Sequence, residues 1–481
     1  MKIMNNLYKY IALALTTLSL YACEKELSAL PTNEKVDVNT ILDQATAQIA
    51  LNGAYYTFAN ATQAQTFWQD HQIRPAMLAG YLSYGYSAFP EEDNRNTSFN
   101  SHYWTESYVL LNTANGVIKG INALPEGKIE EVKKKQMIAE ARFLRAYAHF
   151  KLLSYYGEWY NINSNFGILL RDELSTLGNI VKARSTVKES YDFIVADLDY
   201  VIANGPTINP NHYATSWAGM ALKARVLMSR GGTADYPEII SLTKNIIDNG
   251  PFVLEPNSRD IFHLKGLASQ EVILGIKPQS GQENSPYSKS LDYMPGGSFL
   301  FTATASYKNL LNNDPRQAWQ TGIENPRGLK ESYYFTKFIA VGNTPSVVSE
   351  TDYAIRLTEV YLLQAEAVVR SGGSLADAKS VVHLVQARSG ITATTNNGPY
   401  LEVEAASTGA ALLMEIFKEY VKSLTGEDGL EWLALLRLPF DTVKVLKPTI
   451  LSQSQYILPV PASEFIYNPS FGPQNPGYSS N

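Results

Sequence analysis

Among 481 residues there is a single cysteine, Cys23. No disulfide can close within the chain, and no pair of thiols is present to hold zinc. Histidine is scarce as well: His71, His102, His149, His212, His263 and His383 lie far apart, with no H-E-x-x-H arrangement among them. The G-x-S-x-G, G-x-G-x-x-G and P-loop patterns are missing, so neither an elbow serine nor a nucleotide cofactor has support. Basic residues do not exceed acidic ones, 40 against 46, and the net charge of −6 excludes the electrostatic footprint of a nucleic-acid binder. Charged residues make only 18% of the chain and hydrophobic ones 45%, which excludes highly charged disorder. The expectation is a globular protein with no catalytic residue, metal or cofactor.

What is abundant is aromatic: 30 Tyr, 18 Phe and 6 Trp. At the start, Lys2 and Lys9 precede an apolar stretch from Tyr10 to Leu20, shorter than the roughly 20 residues of a spanning helix, which reads as a secretory signal. Ala22 then stands directly before Cys23. This resembles the bacterial lipoprotein box, in which cleavage leaves Cys23 first and its thiol receives a diacylglyceryl group; the alternative is a buried leftover thiol. Three acyl chains on one residue exceed the two signals that stable anchoring needs, so the reading is a tethered protein and not a spanning one. Residues 1–22 are expected to be removed, 23–40 to form anchor and spacer, and 41–481 to form one domain. The "EKEL" after Cys23 is similar to the acidic export signal of Bacteroidetes surface lipoproteins, or is a solvated linker.

From Lys128 to Tyr156 there is neither Gly nor Pro, and Ala141, Leu144, Ala148 and Leu152 recur at helical spacing before Gly157. Thr186 and Glu189 have capping-box spacing ahead of Ile194, Leu198 and Val201, which predicts a helix over 187–203. Residues 216–232 and 235–250 predict two helices joined at Gly231 and Gly232, with Asp235 as N-cap. The design recurs over 352–373 and 374–390, where Ser374 and Asp377 again have capping-box spacing, and a last helix is expected over 409–423. Small residues at the crossings, such as Ala146, Ala221, Ala224, Ala365 and Ala367, suggest tetratricopeptide-like stacking without a clean 34-residue repeat. Gly and Pro, by contrast, number 16 within 251–352, where 271–276 and 332–341 read as short strands. Residues 51–110 read as irregular too. The expected fold is mainly α: a helical-hairpin scaffold with loop-rich and short-strand additions in a single large domain.

Four segments, 139–160, 353–373, 377–391 and 456–478, taken together resemble the SusD/RagB family of nutrient-binding outer-membrane lipoproteins. Glu140, Ala141, Arg142, Phe143, Leu144, Arg145, Ala146 and Tyr147 match the family's E-A-R-F-L-R-A-Y run. Pro459, Pro461, Glu464, Asn468, Pro469, Gln474, Asn475, Pro476, Gly477 and Tyr478 match its ending, and Asp314 to Arg316 supplies its D-P-R. One segment departs: Lys418 stands where Arg is common, and Leu433 with Ala434 replaces a pair that often carries Asp, which leaves the ligand class open. The resemblance implies a non-enzymatic protein, lipid-anchored in the outer membrane and facing the exterior. It would capture an oligosaccharide or a peptide and pass it to a SusC-type TonB-dependent transporter. Arg142 and Arg145 are expected to bridge helices, and the Q-N-P-G-Y tail to pin the C-terminus through its turns.

Residues 81–104 carry seven aromatics interleaved with Asp93, Asn94, Arg95, Asn96 and Asn100. A sugar offers an apolar C–H face for stacking and a rim of hydroxyls for polar side chains, so this mixture suits glycan recognition. The candidate ligand residues are Tyr81, Tyr84, Tyr86, Asp93, Asn94, Arg95 and Trp104, with Trp68 and Trp319 as secondary candidates; the alternative is that these rings pack the loop onto the helices. Trp217 and Trp432 read as core. The aromatic loop favours a glycan over a peptide. A surface glycoside hydrolase would need two carboxyl groups about 5 to 10 Å apart across one groove, but Glu91, Glu92 and Asp93 read as a solvated turn. A structural adaptor would instead need a concave surface poor in aromatics.

Overall fold

A computed structural model of the protein describes residues 40–85, 89–96, 102–286, 288–293, 300–321, 332–339, 342 and 344–479. The fold is mainly α-helical. Helix α1 (Gln44–Phe58) opens with a reciprocal capping box between Asp43 and Thr46. It is followed by α2 (Gln69–Ala79), strand β1 (Leu82–Tyr84), α3 (His102–Asn122), α4 (Glu131–Tyr156), α5 (Val187–Asn204), α6 (Ser216–Arg230) and α7 (Asp235–Asn249). After an excursion bearing β2 (Val272–Ile276), β3 (Phe301–Thr304) and β4 (Ser332–Tyr334), strand β5 (Asp352–Arg356) leads into α8 (Leu357–Arg370) and α9 (Leu375–Ala387). Helices α10 (Gly409–Leu424) and α11 (Leu430–Leu436) complete the scaffold.

Helix packs on helix in sequence: α3 on α4, α4 on α5, α5 on α6, α6 on α7 and α8 on α9, with α1 across α3 and α4. Helices α7 and α8 also pack on each other although the whole excursion separates them in the chain. The loop-rich 251–352 is therefore an insertion between two neighbouring helices of the stack. Strands β2 and β5 close its base as an antiparallel pair, from Val272 opposite Arg356 to Ile276 opposite Asp352. The helix crossings are tight enough to need small residues. A Cβ on Gly219 in α6 would meet Val201 Cγ1 of α5 at 2.7 Å.

The signature residues hold this stack together. Arg145 of α4 binds Asp197 of α5 with two nitrogens, both at 2.7 Å, and also reaches Asn115 of α3 at 2.9 Å. Its neighbour Arg142 lies 4.2 Å over the Tyr200 ring. Glu140 accepts the Tyr55 hydroxyl at 2.9 Å, and burial raises its carboxyl to about 7. Near the C-terminus, Gln474 exchanges two 2.8 Å bonds with the Val460 backbone, and the Asn475 amide donates to the carbonyls of Tyr156 and Leu458. The tail is thereby pinned to the end of α4.

Beneath α8 and α10 lies a buried charged centre. Arg225 grips Glu359 and Asp428 at 2.6 Å, and Asp428 also takes Lys151 and the Tyr147 hydroxyl at 2.6 Å. Arg356 joins Glu427 to Glu271; Lys337 reaches Glu427 at 2.6 Å, and Arg388 binds Glu271. Arg316 of the D-P-R turn lies between Asp314, at 2.7 Å, and Glu419.

Several local expectations change. Residues 51–110 are more helical than their Tyr, Asn and Ser content suggests: they hold α1, α2 and α3, which bury Tyr55 and Tyr103 against the stack. Among the described residues of 332–341 the strand is Ser332–Tyr334, and Thr336–Phe338 turns as a 3-10 helix from which Lys337 enters the charged centre. Asp235 is not the N-cap of α7 but its first residue, and its carboxylate bridges the Gly232 N–H and Arg230. Ser374 caps α9 through the Asp377 N–H, and Thr186 with Glu189 forms the full reciprocal box on α5.

Candidate ligand-binding face

The sheet β1–β3–β4 is assembled from three distant segments. Tyr84 stands opposite Phe301, Leu82 opposite Ala303, and Ala303 opposite Tyr333. Residues directly opposite one another, and every second residue along a strand, share a face, so Tyr84, Phe301 and Tyr333 project from the same side. All three are half-buried. Phe89 stands edge-on to Tyr84 at 4.6 Å, Phe301 lies 6.0 Å from Tyr84, and the Lys308 ammonium sits 3.9 Å over the Tyr333 ring. The rings continue inward through Tyr293, Phe338 and Phe262 to the half-buried Trp319, each step spanning 5.7 to 6.0 Å. Tyr84 and Trp319 are thus the two partly open ends of one aromatic chain with a buried middle.

The turn after β1 is set by a carboxylate. Glu92 accepts the Tyr84 N–H at 3.1 Å, the Phe89 N–H at 3.4 Å and the Ser83 hydroxyl at 3.0 Å. Its neighbour Glu91 is buried on Arg74 at 3.0 Å. This segment is consequently a clamp on the aromatic loop and not the solvated turn its composition suggests. Only Asp93 and Arg95 fit that description, paired with each other at the surface at 2.8 Å. At the edge of the sheet, Leu82, Ser83, Glu92, Asp93, Thr304 and Lys447 line a cleft of about 290 Å³.

Several sequence candidates are packing residues. Trp68 is fully buried, stacked on His71 at 4.4 Å with Phe58 edge-on at 5.0 Å, which leaves its ring no surface for a ligand. Trp104 is buried among Tyr108, Tyr156 and Phe471, and Tyr81 lies buried beside Tyr307. Asn94 adopts a left-handed turn at φ 53°, and its side chain is taken up by the Leu78 carbonyl and the Thr449 hydroxyl. Tyr84, Asp93, Arg95 and Trp319 keep solvent access; Tyr86 and Cys23 lie outside the described residues. Sequence reasoning missed Phe89 as an individual candidate, and missed Phe301, Tyr333 and Lys308 altogether. Strand pairing across more than 200 residues brings the latter to the face, and no local signal announces it. Trp432 is buried as expected, while Trp217 is half-buried with its N–H on the Thr207 carbonyl.

A family described as "Starch-binding associating with outer membrane" matches residues 21–228, and one described as "SusD family" matches 284–437. The chain belongs to the SusD/RagB family. It is 24% identical over 489 residues to "SusD-like protein P2" of Formosa agariphila, covering 90% of this chain and 92% of that one. A "SusD-like protein" of Bacteroides ovatus is 26% identical over 291 residues, 56% of this chain and 49% of its own length. The chain thus spans about half of that relative. Among solved structures, a SusD superfamily protein of Bacteroides thetaiotaomicron shares the fold with a TM-score of 0.73 at 22% identity, covering 90% of this chain and all of that one. A "Laminarin binding SusD-like protein" has a TM-score of 0.70 at 18% identity, covering 91% and 100%. The SusD-type departures are accommodated within the same scaffold: Lys418 pairs with Glu415 at 2.9 Å, and Leu433 and Ala434 are buried in α11. Among the described residues, no helix is long and apolar enough to cross a membrane, and no cluster of three or more His, Cys, Asp or Glu could hold a metal ion.

Proposed function

We propose that this protein captures an oligosaccharide on the aromatic face of the β1–β3–β4 sheet and hands it to a SusC-type TonB-dependent transporter. The observation that carries this reading is the convergence of four half-buried rings, Tyr84 and Phe89, whose backbone Glu92 clamps, with Phe301 and Tyr333, at one side of a sheet drawn from three segments. Rings held in fixed positions offer stacking platforms at low entropic cost. Trp319 and the surface pair Asp93 and Arg95 extend the set of ligand contacts. The family's description as outer-membrane-associated supports the setting, with Cys23 as the acylated anchor and the domain facing the exterior. Capture followed by release needs only moderate affinity, with dissociation constants from micromolar to millimolar, about −4 to −8 kcal/mol.

The test is calorimetric titration of the form beginning at Glu24 against polysaccharide and peptide panels, with each mixture followed over time for new reducing ends or amines. Saccharide binding without products supports capture. Binding to peptides alone replaces the ligand class, and turnover overturns the binding-only reading.

A further inference from the structure

A further cavity lies away from the sheet. It is an open cleft of about 790 Å³ between α1, the loop around His212, residues 265–268 and the segment from the end of β2 to Glu283. It shares no lining residue with the aromatic face. Its volume falls within the range of small-molecule sites, roughly 300 to 1,000 Å³.

One wall is aromatic. Tyr55 forms its floor, fixed by its hydroxyl between Glu140 and the Ala214 N–H, with Tyr213 edge-on at 4.7 Å and His212 against Tyr213 at 4.4 Å. Tyr56, one residue on in α1, lines the same cleft and is 41% exposed. The opposite wall combines Gly266, Gly275 and Gly281 with Leu267, Lys277 and Glu283. A Cβ on Gly275 would meet Leu267 Cδ2 at 2.4 Å, so a larger residue there would displace that side chain.

The polar groups of this cleft are incompletely matched within the protein. Lys277 is exposed and makes no ion pair among the described residues, whereas Lys265 is held by Glu255. Glu283 lines the cleft with Oε2 buried and without a donor among the described residues. A buried carboxylate oxygen without a donor is costly, and a turn of the Glu283 side chain into the cleft would bring it to a ligand O–H group. Burial, with the Lys277 charge second, lowers the His212 imidazole from its ordinary value, so at neutral pH it presents an uncharged ring.

We propose that this cleft is a second saccharide-binding site, in which Tyr56 and Tyr213 stack on sugar rings while Glu283 accepts and Lys277 donates hydrogen bonds to hydroxyl groups. Ring faces, one acceptor lacking a donor and one unpaired cation together match a polyhydroxylated ligand, and no net charge is demanded of it. The inference rests on the capture reading only for the class of ligand. Two sites on one chain would hold a long glycan by effective concentration, without either site binding tightly.

The test uses the full chain in detergent micelles, titrated by calorimetry with laminarin-derived and starch-derived oligosaccharides. Two variants are compared: Tyr56→Ala with Lys277→Ala in the cleft, and Tyr84→Ala with Phe301→Ala on the sheet face. Melting curves confirm that each is folded. Lys277→Ala alone, at an exposed position, serves as the milder cleft variant. The expected result is two classes of site in the parent protein, one weakened at least tenfold by each double variant. A single site lost in the sheet variant and untouched in the cleft variant overturns the second site and leaves the capture face standing. A single site lost only in the cleft variant supports the cleft and overturns the sheet face. No binding by the parent protein overturns both.

Discussion

The charged centre and the aromatic face hold themselves together by opposite means. In the centre, Arg225, Arg316 and Arg356 are each at most 2% exposed and each bonds carboxylates from two places in the chain. At the sheet, the contacts are ring edges at 4.6 to 6.0 Å, which are weakly directional and individually small. A buried ion pair tolerates no single loss, because the abandoned partner remains buried and charged. A ring cluster loses one contact at a time. Rigid positioning and an adaptable surface are thus assigned to different chemistries in one molecule.

The contrast is broken most severely at Arg356. Arg356→Met takes away the cation shared by Glu427 and Glu271, leaving the first to Lys337 alone and the second to Arg388 alone, and we expect a loss of about 3 to 5 kcal/mol in urea unfolding. A loss under about 1 kcal/mol would show that water or a shifted Lys337 replaces the guanidinium.

Next comes Glu431, a buried acid with no ion pair among the described residues and an Oε2 without a donor. Burial raises its carboxyl to about 8 from an ordinary 4.5. The folded protein therefore holds a proton that the unfolded chain releases. This contribution is fully present below about pH 4.5 and is lost as pH rises to about 8, at up to about 1.4 kcal/mol per pH unit. Glu140 adds a slope of the same sign up to about pH 7. Melting temperatures of Glu431→Gln and the parent, measured from pH 5 to 8.5, should diverge in favour of the variant as pH rises; parallel curves would mean that Glu431 is ionised throughout.

On the other side of the comparison, Tyr84→Ala should weaken oligosaccharide binding about tenfold, ~1.4 kcal/mol, while destabilising the fold by less than Arg356→Met does. Equal damage to both would make Tyr84 a core residue. Smallest of all, Arg95→Ala removes a surface pair and should change stability by less than about 0.5 kcal/mol in the same unfolding assay.

The helical stack was legible because helices announce themselves locally, through spacing, caps and stops such as Thr186 with Glu189 and Gly231. The insertion between α7 and α8 was legible only as a rise in Gly and Pro, since nothing local records that α7 and α8 remain neighbours. The site was half legible. Aromatic enrichment in 81–104 led to Tyr84, but the same enrichment drew in the buried Tyr81 and Trp104, because a ring's residue type does not reveal which side of the helix stack it faces. Phe301 and Tyr333 reach the face through strand register alone. Glu92 looked like one of three solvated acids until its three donors came into view.

Stacked helical hairpins ordinarily melt like a zipper, repeat by repeat, because each touches only its neighbours. Here Asp428, lying between α10 and α11, ties itself to α4 through Lys151 and Tyr147 and to α6 through Arg225, which in turn grips Glu359 of α8. No hairpin can peel away without stranding a charge on another. The solenoid geometry is retained with ties that cross its one-dimensional order, so the scaffold is expected to unfold as one cooperative unit.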